Sequence, residues 1–314
     1  MIVVVTPNPA IDITSDVPGI ELHETVRVRR VTERAGGKGL NVARVLARLG
    51  EIVAPFGFVG GEEFLELVAQ SSELADLDST WIPVPERTRR TVVVVESAGA
   101  TLFSEPGAPL PPGAWHRLVE AVSALVGPGD VVCVCGSFPP DTAPGSLSRL
   151  IASVRESGAR TIADTSGAWL REAAQAGADV VKPNERELLH ATGADDVVVG
   201  ARRLLNWGAR EVVASCGADG LRLFSAAAPG TWWEARSSGA VTGNPTGAGD
   251  AVVASLARSL HTGGALYGQA EAALRDATAL GGAAVAAAVA GEYVEGVRSS
   301  IADTAVVRMI DAAL

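Results

Sequence analysis

Short runs rich in valine and isoleucine recur along the chain, and most are followed by segments whose apolar residues fall at helical spacing. Residues 2–5, 53–58, 131–135, 161–163, 180–181 and 211–215 are too uniformly apolar for strands with one wet face. They read as buried parallel strands. Between them, residues 40–49 align Val42, Val45, Leu46 and Leu49 on one stripe. Residues 146–156 do the same with Leu147, Leu150, Ile151 and Val154. Residues 115–126, 185–192, 198–207 and 251–260 complete the predicted helices. Gly50, Gly158, Gly193 and Gly208 stand just past four of them, where a helix stops most easily on a residue that tolerates left-handed backbone. The alternation predicts an α/β fold, an open and mostly parallel sheet with helices on both faces.

Two stretches break the alternation. Residues 12–31 interleave charges with Val26, Val28 and Val31, and residues 91–96 and 101–103 read as a hairpin across 97–100. Together they predict a small exposed sheet, a lid built from segments near 12–34 and 88–104. No low-complexity linker or internal repeat divides the chain, so residues 1–314 read as a single domain carrying that lid.

Ligands of an open parallel sheet sit beyond the carboxyl ends of its strands. Polar clusters follow the predicted strands at 6–12, at Gly136-Ser137, at Asp164-Thr165-Ser166, at Lys182-Pro183-Asn184 and at Ser215-Cys216-Gly217. All are expected on one rim.

Charge narrows what that rim handles. The net charge of −10 argues against general nucleic-acid binding, which needs a basic surface. An acidic protein that acts on phosphorylated small molecules must gather a few cations locally. Cys133 and Cys135 alternate with valine, face one side of a strand and read, with Cys216, as free thiols. The four histidines are scattered and form neither a triad nor a metal site. The apolar runs at 2–5 and 281–290 are too short to span a bilayer, and the expected location is cytoplasmic.

Four motifs carry candidate chemistry. In Asn244-Pro245-Thr246-Gly247-Ala248-Gly249-Asp250, two glycines allow a tight turn into a helix whose unpaired amides and dipole favour an anion. Asp250 falls in the first turn, where it serves either as a base for an attacking hydroxyl or as a partner of the dipole. In Ala35-Gly36-Gly37-Lys38-Gly39-Leu40-Asn41, glycines admit a ligand close to backbone, and Asn41 both donates to and accepts from sugar hydroxyls. This loop matches neither Walker A nor GxGxxG. Asp12, in Asn8-Pro9-Ala10-Ile11-Asp12, offers an acceptor to a diol. In Asn184-Glu185-Arg186-Glu187, Asn184 and Glu187 face the same way at a helix start, as a helix cap or as support for the water shell of Mg²⁺.

Taken in this order, the motifs resemble the ribokinase-like carbohydrate kinases of the PfkB family, and most closely the branch of 1-phosphofructokinases, tagatose-6-phosphate kinases and minor 6-phosphofructokinases. The resemblance implies a ribokinase-like fold with ATP as phosphoryl donor and Mg²⁺ as its companion. Asp250 would be the general base, and the amides of Gly247, Ala248 and Gly249 the anion hole. Asp12, Gly37, Lys38 and Asn41 would hold the sugar, with Arg89, Arg27 and Ser137 on its phosphate. Thr246, Gly249, Asn184, Ser215, Gly217 and Gly220 would face the nucleotide, and Glu187 with Asn184 would act on the metal through water. A homodimer formed through the lid is the implied assembly. Departures from the family pattern are Asn244-Pro245 before the glycine turn, Cys216, Pro140-Asp141, and the 289–293 run, which lacks the asparagine-glycine pattern of the adenine pocket. The expected activity is ATP-dependent phosphorylation of a phosphorylated ketohexose. A kinase for an unphosphorylated sugar or nucleoside, a non-catalytic sensor of the same fold and, more remotely, a dinucleotide oxidoreductase are the alternatives.

Overall fold

A computed structural model describes residues 1–21, 23–96 and 99–312. Ten strands make the main sheet. At its centre lie β1 (Ile2–Thr6), β4 (Val53–Val59), β8 (Val131–Cys135), β9 (Arg160–Asp164), β10 (Val180–Val181) and β11 (Glu211–Ser215), all parallel in the order β4-β1-β8-β9-β10-β11. These are the six strands expected, each at or within a residue or two of its predicted bounds. Beyond β4 the parallel strand β5 (Thr80–Pro83) ends one edge. Beyond β11 run β12 (Leu221–Ser225), β13 (Thr231–Arg236) and β14 (Val306–Asp311), all antiparallel.

The period of two along each strand sorts side chains between two cores. Cys133 and Cys135 of β8 pack on one face with α1 (Lys38–Arg48), α8 (Ala248–Gly263) and α9 (Ala270–Val285). Val132 and Val134 face the other way, toward α3 (Ala114–Leu125), α4 (Ser146–Glu156), α5 (Gly167–Gln175), α6 (Glu185–Thr192) and α7 (Val197–Trp207). Burial of a leucine such as Leu150 or Leu256 contributes roughly 1.5–3 kcal/mol, so truncating either would open a core cavity. Cys133 and Cys135 are buried free thiols, as their spacing implied. The Trp232-Trp233 pair packs on both sides of β13. Trp232 stacks on Phe224 at 5.9 Å, and Trp233 joins the α8–α9 core.

Helix α2 (Glu63–Gln70), α5, α9 and α10 (Glu295–Thr304) were not anticipated, nor were β5, β12, β13 and β14. The physical reason is weak contrast. Helix α9 is alanine-rich on nearly every side, and β14 is a mostly exposed edge without a buried run.

The small sheet is present, with strand order β3-β2-β6-β7 from β2 (Ala10–Asp16), β3 (Arg30–Gly36), β6 (Arg89–Glu96) and β7 (Gly99–Ser104). Strands β6 and β7 are antiparallel as expected of a hairpin, although its turn at 97–98 lies outside the described residues. Ile11 and Ile13 pack toward the main core, whereas β7 is exposed throughout, including Leu102 and Phe103. Asp12 lies within β2 and Arg89 opens β6, both in the small sheet whose segments were expected near 12–34 and 88–104. Arg27 lies in the connection between β2 and β3, exposed and outside any strand. Its run of charges is too polar to hold a strand against solvent.

Candidate active site

Helix α8 begins where the chain turns through Gly247 at φ 89°. A Cβ there would stand 2.7 Å from the Ala290 backbone, so only glycine fits. The turn is braced by Asn244 Oδ1, which accepts from the Thr246 amide at 3.0 Å. Helix geometry leaves the first amides without intrahelical partners, and α8 has no side-chain cap. Ala248 N–H donates to the Pro245 carbonyl at 3.2 Å. That amide is therefore occupied, contrary to its expected place in an anion hole. Among the described residues no hydrogen bond claims the amides of Gly247, Gly249 and Asp250. Thr246 itself is exposed at the lip.

Asp250 is buried in the first turn of α8 and accepts a 2.9 Å hydrogen bond from Asn41 Nδ2. Burial pushes its carboxyl up to about 6, against the opposing pull of Lys38 and with the help of Asp164. The loop before α1 supplies Asn41 and Lys38. Its glycines are demanded by close approach, since a Cβ on Gly39 would collide with Thr6 Oγ1 and one on Gly36 with the Asp12 carboxylate. Gly37 starts α1 at φ 109°, directly after the Gly36 backbone on which the Asp12 carboxylate lies. The remaining acceptor of Asn41, Oδ1, is buried without a partner among the described residues.

Two charged residues of the rim clusters, to which sequence reasoning gave no role, prove central. Asp164, at the end of β9, is fully buried and lies 3.3 Å from Lys182 Nζ and 3.5 Å from Lys38 Nζ. Lys182 is buried as well, and its ammonium sits 3.4 Å from where a Gly249 Cβ would be. Lys38 also lies 3.8 Å from Glu187 Oε1, and the Asp164 carboxylate foremost holds its ammonium well above the usual lysine range. The signal was there: a charged residue closing an apolar strand has no reason to be buried unless paired.

Asn184 and Glu187 form a capping box at the start of α6. Asn184 Oδ1 accepts from Glu187 N–H at 2.8 Å, and Glu187 Oε2 accepts from Asn184 N–H at 3.0 Å. The cap leaves Glu187 Oε1 turned to Lys38. Asn184 also bridges to Ser215, which brings the β11 turn alongside. Gly220 closes that turn at φ 87°, where a Cβ would strike the Ala235 carbonyl, whereas Gly217 opens it into free space.

At the small sheet, Asp12 stands directly across from Arg34. Burial raises its carboxyl above the ordinary range, opposed by Arg34, Arg44 and Arg89. Arg89 donates to Asn8 O at 3.1 Å, Ser104 Oγ at 2.8 Å and Glu105 O at 3.1 Å, which fixes its guanidinium beside the 6–12 loop. Asn8 Nδ2 in turn donates to Ser137 Oγ at 3.2 Å. Asn41 is thus bonded to Asp250, on which Lys38 also acts, Asp12 lies against the Gly36 backbone of the same loop, and Arg89, Asn8 and Ser137 form a separate group. Arg27 joins neither.

Residues 3–294 match the pfkB family of carbohydrate kinases. The chain is 33% identical to 1-phosphofructokinase of Escherichia coli strain K12 over 292 residues, 90% of this chain and 89% of that protein. Phosphofructokinase-2 from Escherichia coli in complex with fructose-6-phosphate superposes with a TM-score of 0.83 at 26% identity, covering 96% and 98% of the two chains. The tetrameric inhibited form of that enzyme gives 0.84 at 27% identity with the same coverage. The order of strands, the glycine turn before a buried aspartate and these likenesses agree: the chain belongs to the pfkB family of carbohydrate kinases.

Proposed function

We propose that this kinase transfers the γ-phosphoryl of ATP to a hydroxyl of a phosphorylated ketohexose, with Asp250 as general base. The observation that carries this reading is the buried Asp250 carboxylate, held by Asn41 and adjoining three unclaimed amides at a helix N-terminus. Deprotonation of the hydroxyl and stabilisation of the transferring group then occur side by side. Asn41 fixes the carboxylate and keeps a free acceptor for the sugar. Lys182 and Lys38 bring positive charge to the transferring group, and Asp164 holds both in place. The β11 turn with Ser215, Gly217 and Gly220 would face the nucleotide, with Asn184 beside it and Thr246 at the lip.

Mg²⁺ suits the donor set. Glu187 Oε1 is a hard oxygen that would act on the ion through its waters, whereas the two oxygens of Asp164 face Lys182 and Lys38. When bound it would neutralise phosphate charge; the protein's own residues position the nucleotide and the base.

Support for a sugar that already bears a phosphate comes from charge. In a chain of net charge −10, Arg34, Arg44 and Arg89 all act on the Asp12 carboxylate, with Glu73 and Glu292 also near Arg44 and Glu105 near Arg89. The curated relative is named for the same substrate class. Arg89 and Ser137 are the nearer candidates for that phosphate, and Arg27 reaches it only if the 17–29 connection folds inward. The small sheet acts as a lid, and its exposed apolar residues, Val31 and Phe103 on one face and Leu102 on the other, suit a second copy of the chain.

An ADP-release assay over fructose 1-phosphate, fructose 6-phosphate, tagatose 6-phosphate and fructose tests the substrate class. One of the phosphorylated sugars should exceed fructose in kcat/KM by at least about 100-fold, and Arg89→Ala should raise its KM about tenfold. Equal use of free fructose would overturn the assignment.

A further inference from the structure

Three close contacts meet at Ala290-Gly291, in the connection between α9 and α10. Arg34 Nη2 donates to the Ala290 carbonyl at 2.8 Å, tying β3 of the small sheet to this connection. On its other side Ala290 is packed so tightly on Gly247 that a Cβ there would come within 2.7 Å of it. Gly291, at φ 80°, lies against α1, and a Cβ on it would stand 3.1 Å from Arg44 Cδ and 3.3 Å from Asn41 Oδ1. Ala290 is itself buried, with little freedom to absorb a displacement.

Arg34 also acts on a second group, at longer range than an ion pair. It stands opposite Asp12 across the β2–β3 ladder, and of the three arginines acting on that carboxylate its pull is the strongest. One half-buried guanidinium therefore faces the residue proposed to hold the sugar and grips the backbone that backs the glycine turn. A hydroxyl pair bound at Asp12 would engage that carboxylate and leave Arg34 held by the Ala290 carbonyl, to which it already donates.

We propose that Arg34 is a positioning residue coupling the sugar site on the small sheet to the anion-binding turn at Gly247, through the Ala290 carbonyl. The inference rests on the phosphosugar-kinase reading but is separable from it. Occupation of either site firms the Arg34–Ala290 contact, so each ligand raises affinity for the other by the same factor. Arg34 touches neither ligand in this scheme.

Titration calorimetry with the sugar phosphate, alone and with a non-hydrolysable ATP analogue present, tests it on the full chain. The unmodified protein should bind the sugar at least about fivefold tighter with the analogue bound. Arg34→Met, which keeps the apolar stem, should bind both ligands with a ratio below about twofold, and Arg34→Lys, which keeps charge and donor, should recover part of the ratio. An unchanged ratio in Arg34→Met, or a ratio of one in the unmodified protein, overturns the coupling while leaving the kinase reading intact. Failure of the unmodified protein to bind either ligand sinks both.

Discussion

Asp250 shows how one burial sets both a chemistry and a cost. Its carboxyl has an ordinary value of 3.8 and is pushed to about 6, chiefly by loss of solvent. A base must be ionised, so kcat/KM should rise with pH through about 6 and level off above it, a limb that Asp250→Asn should lack. The linkage runs opposite to that of a salt-bridged carboxylate. Between about pH 4 and 6 the folded chain holds a proton that the unfolded chain has released, so stability falls as pH rises through this window. Removing the charge should therefore stabilise the fold at pH 8, by up to about 3 kcal/mol in a denaturant titration of Asp250→Asn. Lower stability of that variant at pH 8 would show that the buried charge is better compensated than its surroundings imply.

At the scale of elements, the glycine turn joins three pieces of chain that are far apart in sequence. Gly247 has left-handed backbone and no room for a methyl, so Gly247→Ala must shift either the turn or Ala290. It should cost about 1–3 kcal/mol and most of the turnover together. Normal activity would mean that the turn does not shape the anion site. The turn, the Gly36–Asn41 loop and the Asn184–Glu187 cap were all readable from sequence, because glycine runs and capping boxes leave local signatures. Asp164, Lys182 and Arg34 were not, since their meaning lies in which strands become neighbours. Asp164 matters because β9 lies beside β10 and so brings Lys182 to it. A charge closing an apolar strand implies a partner, but neither segment says which. Strands β12 to β14 were hidden for a different reason: β13 and β14 lie partly in solvent, and Arg222 interrupts the otherwise buried run of β12.

For the molecule as a whole, the small sheet carries exposed apolar residues of the kind that association covers. Leu102 and Phe103 are 55% and 60% exposed on β7, next to the half-buried valines of β6. If the face bearing Phe103 joins two copies, Phe103→Asp should shift the mass measured by light scattering from dimer to monomer; an unchanged mass would place any association elsewhere. The same sheet carries Asp12, Arg34 and Arg89, so in the proposed reading its attachment to the ten-stranded sheet decides whether sugar and base meet. The central claim concerns that meeting, and steady-state ADP release by Asp250→Asn tests it most directly. Turnover should fall by at least about 1,000-fold while the far-ultraviolet spectrum and the affinity for the ATP analogue stay unchanged. A correctly folded Asp250→Asn variant that retained a tenth of the activity would contradict Asp250 as the base.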